Sequence, residues 1–327
     1  MEYRELGRTG LIVSRLCFGV LTVGPLQANL PLSEGSSIIR RGLELGINFM
    51  DTAQLYRTYP YIRQALRGFS GEVHIASKSY AYTYEGMRQS VEEARQALGM
   101  DRLSIFMLHE QESEHTLRGH RPALDYLLDA KAKGLISAVG ISTHAVAAVR
   151  AAARMPEIDV IHPLINRAGI GILDGTADAM LAAVKAARAA GKGIYTMKPL
   201  GGGHLMREAA AAFEFLLGQP EIDAIAVGMK SAAEVELNAR YFSRPPEQQT
   251  GLRQAEELDL GALQTQVAAQ SRTLHVEEWC KGCGQCVGAC PQGAIQIAGG
   301  KAFSDPARCV LCGYCGAACP QFALKIV

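Results

Sequence analysis

The stretch 280–291 reads Cys-Lys-Gly-Cys-Gly-Gln-Cys-Val-Gly-Ala-Cys-Pro, and the stretch 309–320 repeats its cysteine spacing as Cys-Val-Leu-Cys-Gly-Tyr-Cys-Gly-Ala-Ala-Cys-Pro. In each copy three thiolates stand two residues apart, a spacing that lets a short loop wrap the corners of one iron-sulfur cube. Zinc usually takes its four ligands in two pairs, rather than as a triplet with an outlying fourth. The spacing therefore indicates iron-sulfur ligation, with a zinc site or disulfides as the alternatives.

The two copies together resemble a bacterial ferredoxin that carries two [4Fe-4S] clusters. The similarity continues beyond the cysteines, because Gln292–Ile297 matches Gln321–Ile326, and this predicts two pseudo-symmetric halves that each end in a short strand. The resemblance implies that each cluster takes its fourth ligand from the other copy. It assigns one cluster to Cys280, Cys283, Cys286 and Cys319, and the other to Cys309, Cys312, Cys315 and Cys290.

The residues before this repeat are numerous enough for one large α/β domain. The chain has 327 residues, a net charge of +1 and a pI of 7.6, which give no electrostatic footprint for nucleic acid or an anionic membrane. No apolar run is long enough to span a membrane, and no signal-peptide pattern follows Met1. Because thiolate clusters need a reducing compartment, the sequence predicts a cytoplasmic protein without nucleic-acid or membrane partners. Cys17, the one cysteine outside the repeat, is expected in the core.

Short apolar runs alternate with helical patterns over the first 243 residues. Eight runs are strand candidates, at 16–18, 48–51, 74–78, 103–108, 138–142, 160–163, 193–197 and 224–227. Helical patterns follow them at 33–45, 61–66, 84–98, 123–133, 145–153, 177–190, 204–217 and 231–242, and a hairpin over 3–13 precedes them. Eight β-then-α units predict an α/β fold, a (β/α)8 TIM barrel, with a doubly wound sheet as the alternative.

The predicted domain boundaries divide the chain into three parts. Residues 1–243 form the barrel, and residues 244–274 form a linker whose helix, over 252–270, packs on the barrel. Residues 275–327 form a small α+β ferredoxin-like domain with two [4Fe-4S] clusters. Within the barrel, Ser33 and Ser231 are predicted to cap helix N-termini, and four glycines are predicted to end helices: Gly46, Gly99, Gly134 and Gly191.

Four polar or ionisable residues stand at the ends of the second, third and fourth predicted barrel strands or just after them, where TIM barrels carry their function. These residues are Asp51, Tyr56, Lys78 and His109. They lie in segments that resemble the aldo-keto reductase family: Asn48–Tyr56, Ala76–Lys78 and Leu108–His109, supported by Leu6–Ser14, Gly140–Ser142, Lys198–Gly203 and Val227–Met229. The resemblance implies an enzyme that reduces a small carbonyl, or oxidises an alcohol, with a nicotinamide cofactor.

The resemblance also implies a role for each of the four residues. Tyr56 would give the proton to the carbonyl oxygen, and the Lys78 ammonium would lower the pKa of this phenol from its usual value near 10. Asp51 would hold Lys78 charged and in place. His109 would orient the carbonyl oxygen and assist the proton.

The expected nicotinamide site is distributed over several loops, since the sequence has no Gly-x-Gly-x-x-Gly fingerprint. The positions that match the family are Ser142, His162, Gly201, Gly202, Gly203, Lys230, Ser231 and Asn238. Three residues depart from the family pattern, because Thr143, His162 and Met197 stand where the family uses Asn, Gln and an aromatic side chain. Glu234 falls near the usual arginine of the 2′-phosphate site, so the cofactor could be NADP or NAD.

A cluster moves one electron and a nicotinamide moves two, so the two modules admit three functions. The first is an NAD(P)H-dependent carbonyl reductase whose clusters couple the barrel to a ferredoxin or flavoprotein partner. The second is an enzyme whose clusters deliver single electrons to a substrate or a non-nicotinamide cofactor in the barrel. The third is an electron-carrier or regulatory subunit of a larger redox complex.

Overall fold

The structure, a computed structural model, describes residues 1–243, 273–290, 292–309, 314–321 and 323–326. They divide into two compact units. One unit holds residues 1–199 together with the described residues from 213 to 243, and the other holds residues 200–212 with the described C-terminal residues. The predicted linker helix over 252–270 lies outside the described residues. No helix in the described part of the chain is long and apolar enough to cross a membrane.

The first unit is a closed barrel of eight parallel strands, which confirms the TIM barrel and excludes the open doubly wound sheet. The hairpin β1 (Tyr3–Glu5) and β2 (Ile12–Ser14) precedes it. The barrel strands follow one another in chain order, and the last pairs with the first: β3 (Leu16–Gly19), β4 (Phe49–Asp51), β5 (His74–Ser79), β6 (Leu103–Leu108), β7 (Ile136–Thr143), β8 (Val160–Pro163), β9 (Gly193–Thr196) and β10 (Ala224–Gly228).

Nine helices lie among the described residues of this barrel sequence. They are α1 (Leu32–Glu44), α2 (Tyr59–Ala65), α3 (Tyr84–Leu98), α4 (Glu114–Gly119), α5 (Arg121–Ala132), α6 (Val146–Ala153), α7 (Ala177–Ala189), α8 (Ala209–Leu217) and α9 (Ala232–Phe242). Ser231 caps α9, since its hydroxyl accepts from the Glu234 amide, and Gly99 ends α3 with a φ of 70°. Both caps were predicted from the sequence.

Three helix predictions need correction. Ser33 is not an N-cap, because the carbonyl of Pro31 accepts the first helical hydrogen bond, from Gly35 at 3.0 Å. The helix predicted from residue 204 begins at Ala209, because two single turns of 3-10 helix come first. The sequence pattern also missed α4, a short polar helix that Ser113 caps.

The barrel interior is filled by side chains rather than open. One buried cluster joins the strands: Leu6, Val13, Cys17, Phe49, Ala76, Ile105, Met107, Ala138, Val160, Tyr195, Ala224 and Ala226. Leu6 and Val13 come from the β1–β2 hairpin, and the Gly7 amide donates to Asp223 just before β10. The hairpin therefore closes the amino end of the barrel and leaves the carboxyl end for the site. Cys17 is fully buried, as expected.

The second unit contains two small antiparallel sheets. One pairs β11 (Leu274–Val276) with β14 (Leu324–Ile326), and the other pairs β12 (Ile295–Ala298) with β13 (Lys301–Ser304). Single helical turns span Gln285–Gly288 and Tyr314–Ala317. A short strand follows each cysteine copy, in the position that the repeat predicted.

Candidate active site and metal centre

The carboxyl ends of β4, β5 and β6 bring four predicted residues into one group. Asp51 is the last residue of β4, and Lys78 is the penultimate residue of β5. His109 follows β6 directly, and its amide donates to the Ser79 carbonyl at 3.0 Å. Tyr56 lies in the single 3-10 turn that follows β4. Parallel strands in register place all four at one edge of the barrel.

A buried ion pair forms the base of this group. Lys78 donates to both carboxylate oxygens of Asp51, at 2.7 and 2.8 Å, and to the Thr52 carbonyl at 2.8 Å. Lys78 is 1% exposed and Asp51 is 6% exposed. The three acceptors use all three hydrogens of the ammonium, which fixes its position.

Tyr195 and His162 complete the surroundings of Asp51 from β9 and β8. The Tyr195 hydroxyl donates to Asp51 Oδ1 at 2.8 Å, and His162 Nε2 lies 3.6 Å from the same oxygen. The two rings stack with centroids 3.9 Å apart, and His162 Nδ1 bonds the Tyr195 carbonyl at 2.7 Å. Burial lowers the pKa of His162 to about 4, so the imidazole is neutral at pH 7. The carboxylate is therefore held from two sides.

Tyr56 and His109 lie on the open side of the ion pair. The Tyr56 hydroxyl is 3.5 Å from His109 Nε2, and Lys78 Nζ lies 5.1 Å from the centre of the Tyr56 ring. Tyr80 stacks on the His109 ring with centroids 4.2 Å apart, and its hydroxyl donates to Glu110. A small carbonyl group placed against this hydroxyl and imidazole would meet two hydrogen-bonding groups.

Burial determines the protonation states of the Tyr56 phenol and the His109 imidazole. It raises the pKa of Tyr56 well above its usual value, and the carboxylates of Asp51 and Glu110 act in the same direction. This overturns the predicted lowering by Lys78, whose ammonium is already paired with Asp51. Burial, followed by the charge of Lys78, lowers the pKa of His109 to about 2. At neutral pH the site therefore presents a protonated phenol beside a neutral imidazole.

The second unit brings the four cysteines predicted for one cluster to a single cavity. Cys280, Cys283, Cys286 and Cys319 line it together with Ile297 and Leu324. Backbone amides donate to three sulfurs of the repeat: Ala302 to Cys280 at 3.4 Å, Ala294 to Cys290 at 3.4 Å, and Ala323 to Cys319 at 3.3 Å. The amide of Ala302 lowers the pKa of the Cys280 thiol. Amide donors to thiolate sulfur are characteristic of iron-sulfur sites.

The ligands predicted for the other cluster are only partly described. Cys315 is buried, and Cys290 and Cys309 are half-buried, whereas Cys312 lies outside the described residues. Ala294 stands four residues after Cys290, as Ala323 does after Cys319, so the two copies form the same amide–sulfur contact. The local geometry of the repeat is thus shared by both halves.

Models of known protein families match both the barrel and the cysteine repeat. Residues 15–210 match the model of the aldo/keto reductase family, and residues 279–323 match a 4Fe-4S dicluster domain. The chain belongs to the aldo/keto reductase family. It is an oxidoreductase of this type that carries a C-terminal 4Fe-4S dicluster domain, as the sequence predicted.

Similar proteins share the barrel at low identity. L-galactose dehydrogenase from Arabidopsis thaliana is 23% identical, over 73% of this chain and 87% of that enzyme. D-threo-aldose 1-dehydrogenase from a Pseudomonas species is 23% identical, but the match spans 46% of this chain and 56% of that enzyme. A solved putative aldo-keto reductase from Pseudomonas aeruginosa superposes with a TM-score of 0.62 at 26% identity, covering 73% of this chain and 92% of that one.

The residues that the sequence predicted for a nicotinamide site lie at several strand and helix ends. Ser142 is buried near the end of β7, where its hydroxyl accepts from the Glu110 amide at 2.9 Å. His162 lies behind Asp51, as described above. Lys230 and Ser231 immediately precede α9, and Asn238 lies within this helix. The Lys230 amide donates to the Glu234 carboxylate at 2.8 Å, so an acidic group occupies the start of the helix.

The glycines at 201–203 belong to the second unit, which was not foreseen. All three have positive φ values, of 56°, 69° and 106°, and they form one tight turn. Within the same unit, the Gln292 side-chain amide lies 3.4 Å from His204 Nδ1. The glycine turn therefore shares a compact unit with the loop that carries Cys290.

Tyr195 is the residue of the reductase site that sequence analysis missed. A tyrosine within the apolar run 193–197 suggests core packing, and its ring does pack on Phe49 with centroids 4.9 Å apart. Its hydroxyl reaches Asp51 because β9 and β4 are strands of one closed barrel and both side chains are buried within it. The signal that could have found it is a tyrosine hydroxyl predicted to be buried, since such a group needs a polar partner.

Proposed function

We propose that the barrel reduces a small carbonyl, or oxidises the corresponding alcohol, with NADPH or NADH, and that the C-terminal module exchanges electrons with a ferredoxin or flavoprotein partner. The buried Lys78–Asp51 pair against Tyr56, with His109 Nε2 3.5 Å from the Tyr56 hydroxyl, carries this proposal. A carbonyl that accepts hydride needs a proton at oxygen, and this group supplies a positioned proton donor.

Tyr56 is the proton donor in the direction of reduction. Its raised pKa keeps the phenol protonated at neutral pH. As negative charge develops on the carbonyl oxygen, the phenol hydrogen of Tyr56 would stabilise it, while the Lys78–Asp51 pair keeps the surroundings of the phenol fixed. The neutral His109 imidazole provides a second hydrogen bond that sets the direction of the carbonyl group.

The nicotinamide would supply the hydride. Lys230 and Ser231 at the start of α9 suit a phosphate in their chemistry, because a helix N-terminus and an ammonium both attract anions. The Glu234 carboxylate lies at the same helix end and would repel the additional 2′-phosphate of NADP. These residues fit a dinucleotide and leave NADP and NAD as alternatives.

The cysteine repeat fits two [4Fe-4S] clusters, held by Cys280, Cys283, Cys286 and Cys319 and by Cys309, Cys312, Cys315 and Cys290. The cavity lined by the first four and the amide donors to sulfur support this assignment. Such clusters supply one-electron transfer when bound. The amides of Ala294, Ala302 and Ala323 would stabilise the thiolates and tune their potential.

Replacement of Tyr56 tests the reductase function. Tyr56→Phe keeps the ring beside Lys78 and removes the proton donor, so kcat for carbonyl reduction should fall by about 10²–10⁴-fold. The dissociation constant for NADPH should not change. Tyr82→Phe, on an exposed tyrosine nearby in the sequence, is the matched control. Undiminished reduction by Tyr56→Phe would contradict the proposed role.

A second candidate function follows from the burial of His162. Where the family pattern has a glutamine for the nicotinamide, this side chain is 1% exposed and engaged with Asp51 and Tyr195. The barrel pocket could then hold a substrate or cofactor that receives single electrons from the clusters. Stoichiometric binding of NADPH, measured by calorimetry, would exclude this candidate, and absence of binding would favour it over the reductase.

A further inference from the structure

Tyr80 lies in the loop that follows β5, two residues after Lys78. Its ring stacks on the His109 ring, with centroids 4.2 Å apart and an angle of 24° between the two planes. The His109 ring also meets the Tyr56 ring, in an edge-to-face contact with centroids 5.7 Å apart. The imidazole thus contacts two aromatic rings, and the ring of Tyr80 is the one that lies nearly parallel to it.

Hydrogen bonds do little to fix the plane of this imidazole. His109 Nδ1 is buried and has no hydrogen-bond partner among the residues that the structure describes, and Nε2 makes a long contact of 3.5 Å with the Tyr56 hydroxyl. A functional histidine is often oriented by the bond that its second ring nitrogen makes. In this site the stacked ring of Tyr80 is the contact that can define the plane.

The Tyr80 ring is itself anchored at its hydroxyl, which donates a charge-assisted hydrogen bond to the Glu110 carboxylate. Glu110 has a φ of 48°, in the left-handed region that non-glycine residues rarely adopt, and its amide donates to the Ser142 hydroxyl at 2.9 Å. Backbone strain of this kind persists where the surrounding structure imposes it. The carboxylate that holds Tyr80 therefore stands on a constrained backbone, one residue after His109.

The backbone beside Tyr80 is tied to the same histidine. The His109 amide donates to the Ser79 carbonyl at 3.0 Å, and the Ser79 hydroxyl accepts from the Ala81 amide at 3.1 Å. The same hydroxyl donates to the Gln54 side chain at 2.7 Å. Both ends of the Tyr80 side chain are thus fixed relative to His109, so that its ring can act as a rigid surface.

We propose that Tyr80 is a positioning residue, whose anchored ring fixes the plane of the His109 imidazole and so directs Nε2 towards the Tyr56 hydroxyl and the reacting carbonyl. Tyr80 acts through His109 in this role and does not need to touch the substrate. Orientation matters at this point because a displacement of about 1 Å in a reacting group can cost about 100-fold in rate. The inference rests on the reductase function proposed above, since the carbonyl is its substrate.

Tyr80→Phe and Tyr80→Leu separate the two contacts of this side chain. Phenylalanine keeps the stacked ring and loses the bond to Glu110, whereas leucine loses both. Tyr82→Leu is the matched control, because Tyr82 lies in the same loop and is 65% exposed. The full-length, cluster-loaded protein is assayed with NADPH and with NADH on propanal and on 4-nitrobenzaldehyde, which differ in size. NMR follows the ring protons of His109 and Tyr56 in the same variants.

A positioning role predicts a graded fall in kcat at nearly constant KM. We expect kcat to fall about twofold to tenfold in Tyr80→Phe and about tenfold to a hundredfold in Tyr80→Leu, to the same extent for both aldehydes. The His109 ring protons, assigned with His109→Gln, should move downfield in Tyr80→Leu because the stacked ring is lost. Their NOE to the Tyr56 ring should weaken as well, and Tyr82→Leu should change none of these values.

An unchanged NOE between the His109 and Tyr56 rings in Tyr80→Leu would overturn the proposal, whether or not the protein is active. A higher KM for 4-nitrobenzaldehyde with unchanged kcat would also overturn it, because Tyr80 would then only line the substrate pocket. An equal loss in Tyr82→Leu would have the same consequence. If the parent protein reduces neither aldehyde, the reductase function fails instead, and the NOE still decides whether Tyr80 orients His109.

Discussion

At the scale of single residues, the buried carboxylate of Asp51 is stabilised by the hydrogen bonds that it accepts. A carboxylate and an ammonium removed from water lose several kcal/mol of solvation each, which their mutual attraction offsets only if their remaining bonds are satisfied. Asp51 accepts two hydrogen bonds from Lys78 and a third from Tyr195. The tyrosine is thus a positioning residue, because it acts on the site through Asp51.

Tyr195→Phe should therefore destabilise the barrel without changing its packing. The ring remains against Phe49 and His162, but the buried carboxylate loses a donor. Hydrogen bonds to charged groups contribute about 1.5–3 kcal/mol, so we expect a loss of that size in the free energy of unfolding, measured with urea and circular dichroism.

Tyr126→Phe is the control for this measurement. Tyr126 is also buried, and its hydroxyl shows no hydrogen bond in the described part of the chain. Its removal should change the free energy of unfolding much less. If both variants lower the free energy of unfolding equally, the hydrogen bond from Tyr195 to Asp51 does not stabilise the barrel beyond the effect of losing any tyrosine hydroxyl.

His162 makes the stability of the barrel depend on pH. Burial lowers its pKa from 6.5 to about 4 in the folded protein. Between these values the unfolded chain binds more protons, so this contribution is complete above pH 6.5 and is lost as pH falls towards 4. From His162 alone we expect a loss of about 2 kcal/mol between pH 7 and pH 5, measured by urea unfolding.

His162→Gln should flatten this dependence, because glutamine has no proton to gain. His115→Gln replaces an exposed histidine of α4 and should leave the slope as in the parent protein. A slope that His162→Gln does not change would mean that other groups govern the acid sensitivity.

The reductase residues were predictable to the extent that they follow a local pattern. Asp51 and Lys78 stand at strand ends that apolar runs reveal, and Tyr56 and His109 come shortly after such ends. The direction of the Tyr56 pKa was predicted wrongly, because the sequence does not show that Asp51 already pairs with Lys78 or that the phenol is buried.

At the scale of elements, the N-terminus of α9 combines opposing charges. Ser231 caps the helix, and Lys230 precedes it, so the amide dipoles and the ammonium attract phosphate. Glu234 reaches back to the Lys230 amide at 2.8 Å and places a carboxylate there, and burial raises the pKa of that carboxyl group. The balance between these charges should set the preference between NADPH and NADH.

Glu234→Gln should shift this preference towards NADPH. Removing one negative charge near a 2′-phosphate changes the interaction by about 1 kcal/mol in a partly hydrated site, so the ratio of the NADPH and NADH dissociation constants should fall about threefold to tenfold. Glu236→Gln is the matched control on the same helix, since Glu236 pairs with Arg41 instead. An equal change in the ratio of dissociation constants for both variants would mean that the total charge of α9, rather than the position of Glu234, sets the preference.

Element types followed from periodicity, whereas several element ends did not. The eight strands were found because buried parallel strands are short, continuous apolar runs. Helix α4 was missed because Glu114–Gly119 has one buried apolar residue, Leu117, and therefore no period to detect. The start of α8 was misplaced because Gly201–Gly203 adopt positive φ values and two 3-10 turns precede Ala209, which the apolar pattern does not reveal.

At the scale of the whole molecule, an aldo/keto reductase barrel and a 4Fe-4S dicluster domain occupy one chain. Hydride transfer moves two electrons and an iron-sulfur cluster moves one, so the functions proposed for the two modules differ in electron count. The four residues Asp51, Tyr56, Lys78 and His109 lie in the first unit, and the described residues of the cysteine repeat lie in the second. The hydride chemistry proposed above would use Tyr56, Lys78 and a nicotinamide, none of which depends on a thiolate. The modules should therefore be separable in function, even though residues 200–212 of the barrel sequence group with the cluster module.

Removal of a cluster ligand tests this separation. Cys283→Ser alters a cysteine that lines the cavity, and it should reduce the charge-transfer absorbance of the protein while leaving NADPH-dependent carbonyl reduction intact. Reaction with a one-electron donor, such as reduced methyl viologen, should decrease, because that route uses the clusters and one of the two loses a ligand. Gln285→Ala, on an exposed residue between two cysteines, should alter neither reaction. Loss of NADPH-dependent reduction in a folded Cys283→Ser protein would mean instead that the clusters take part in the barrel's own chemistry.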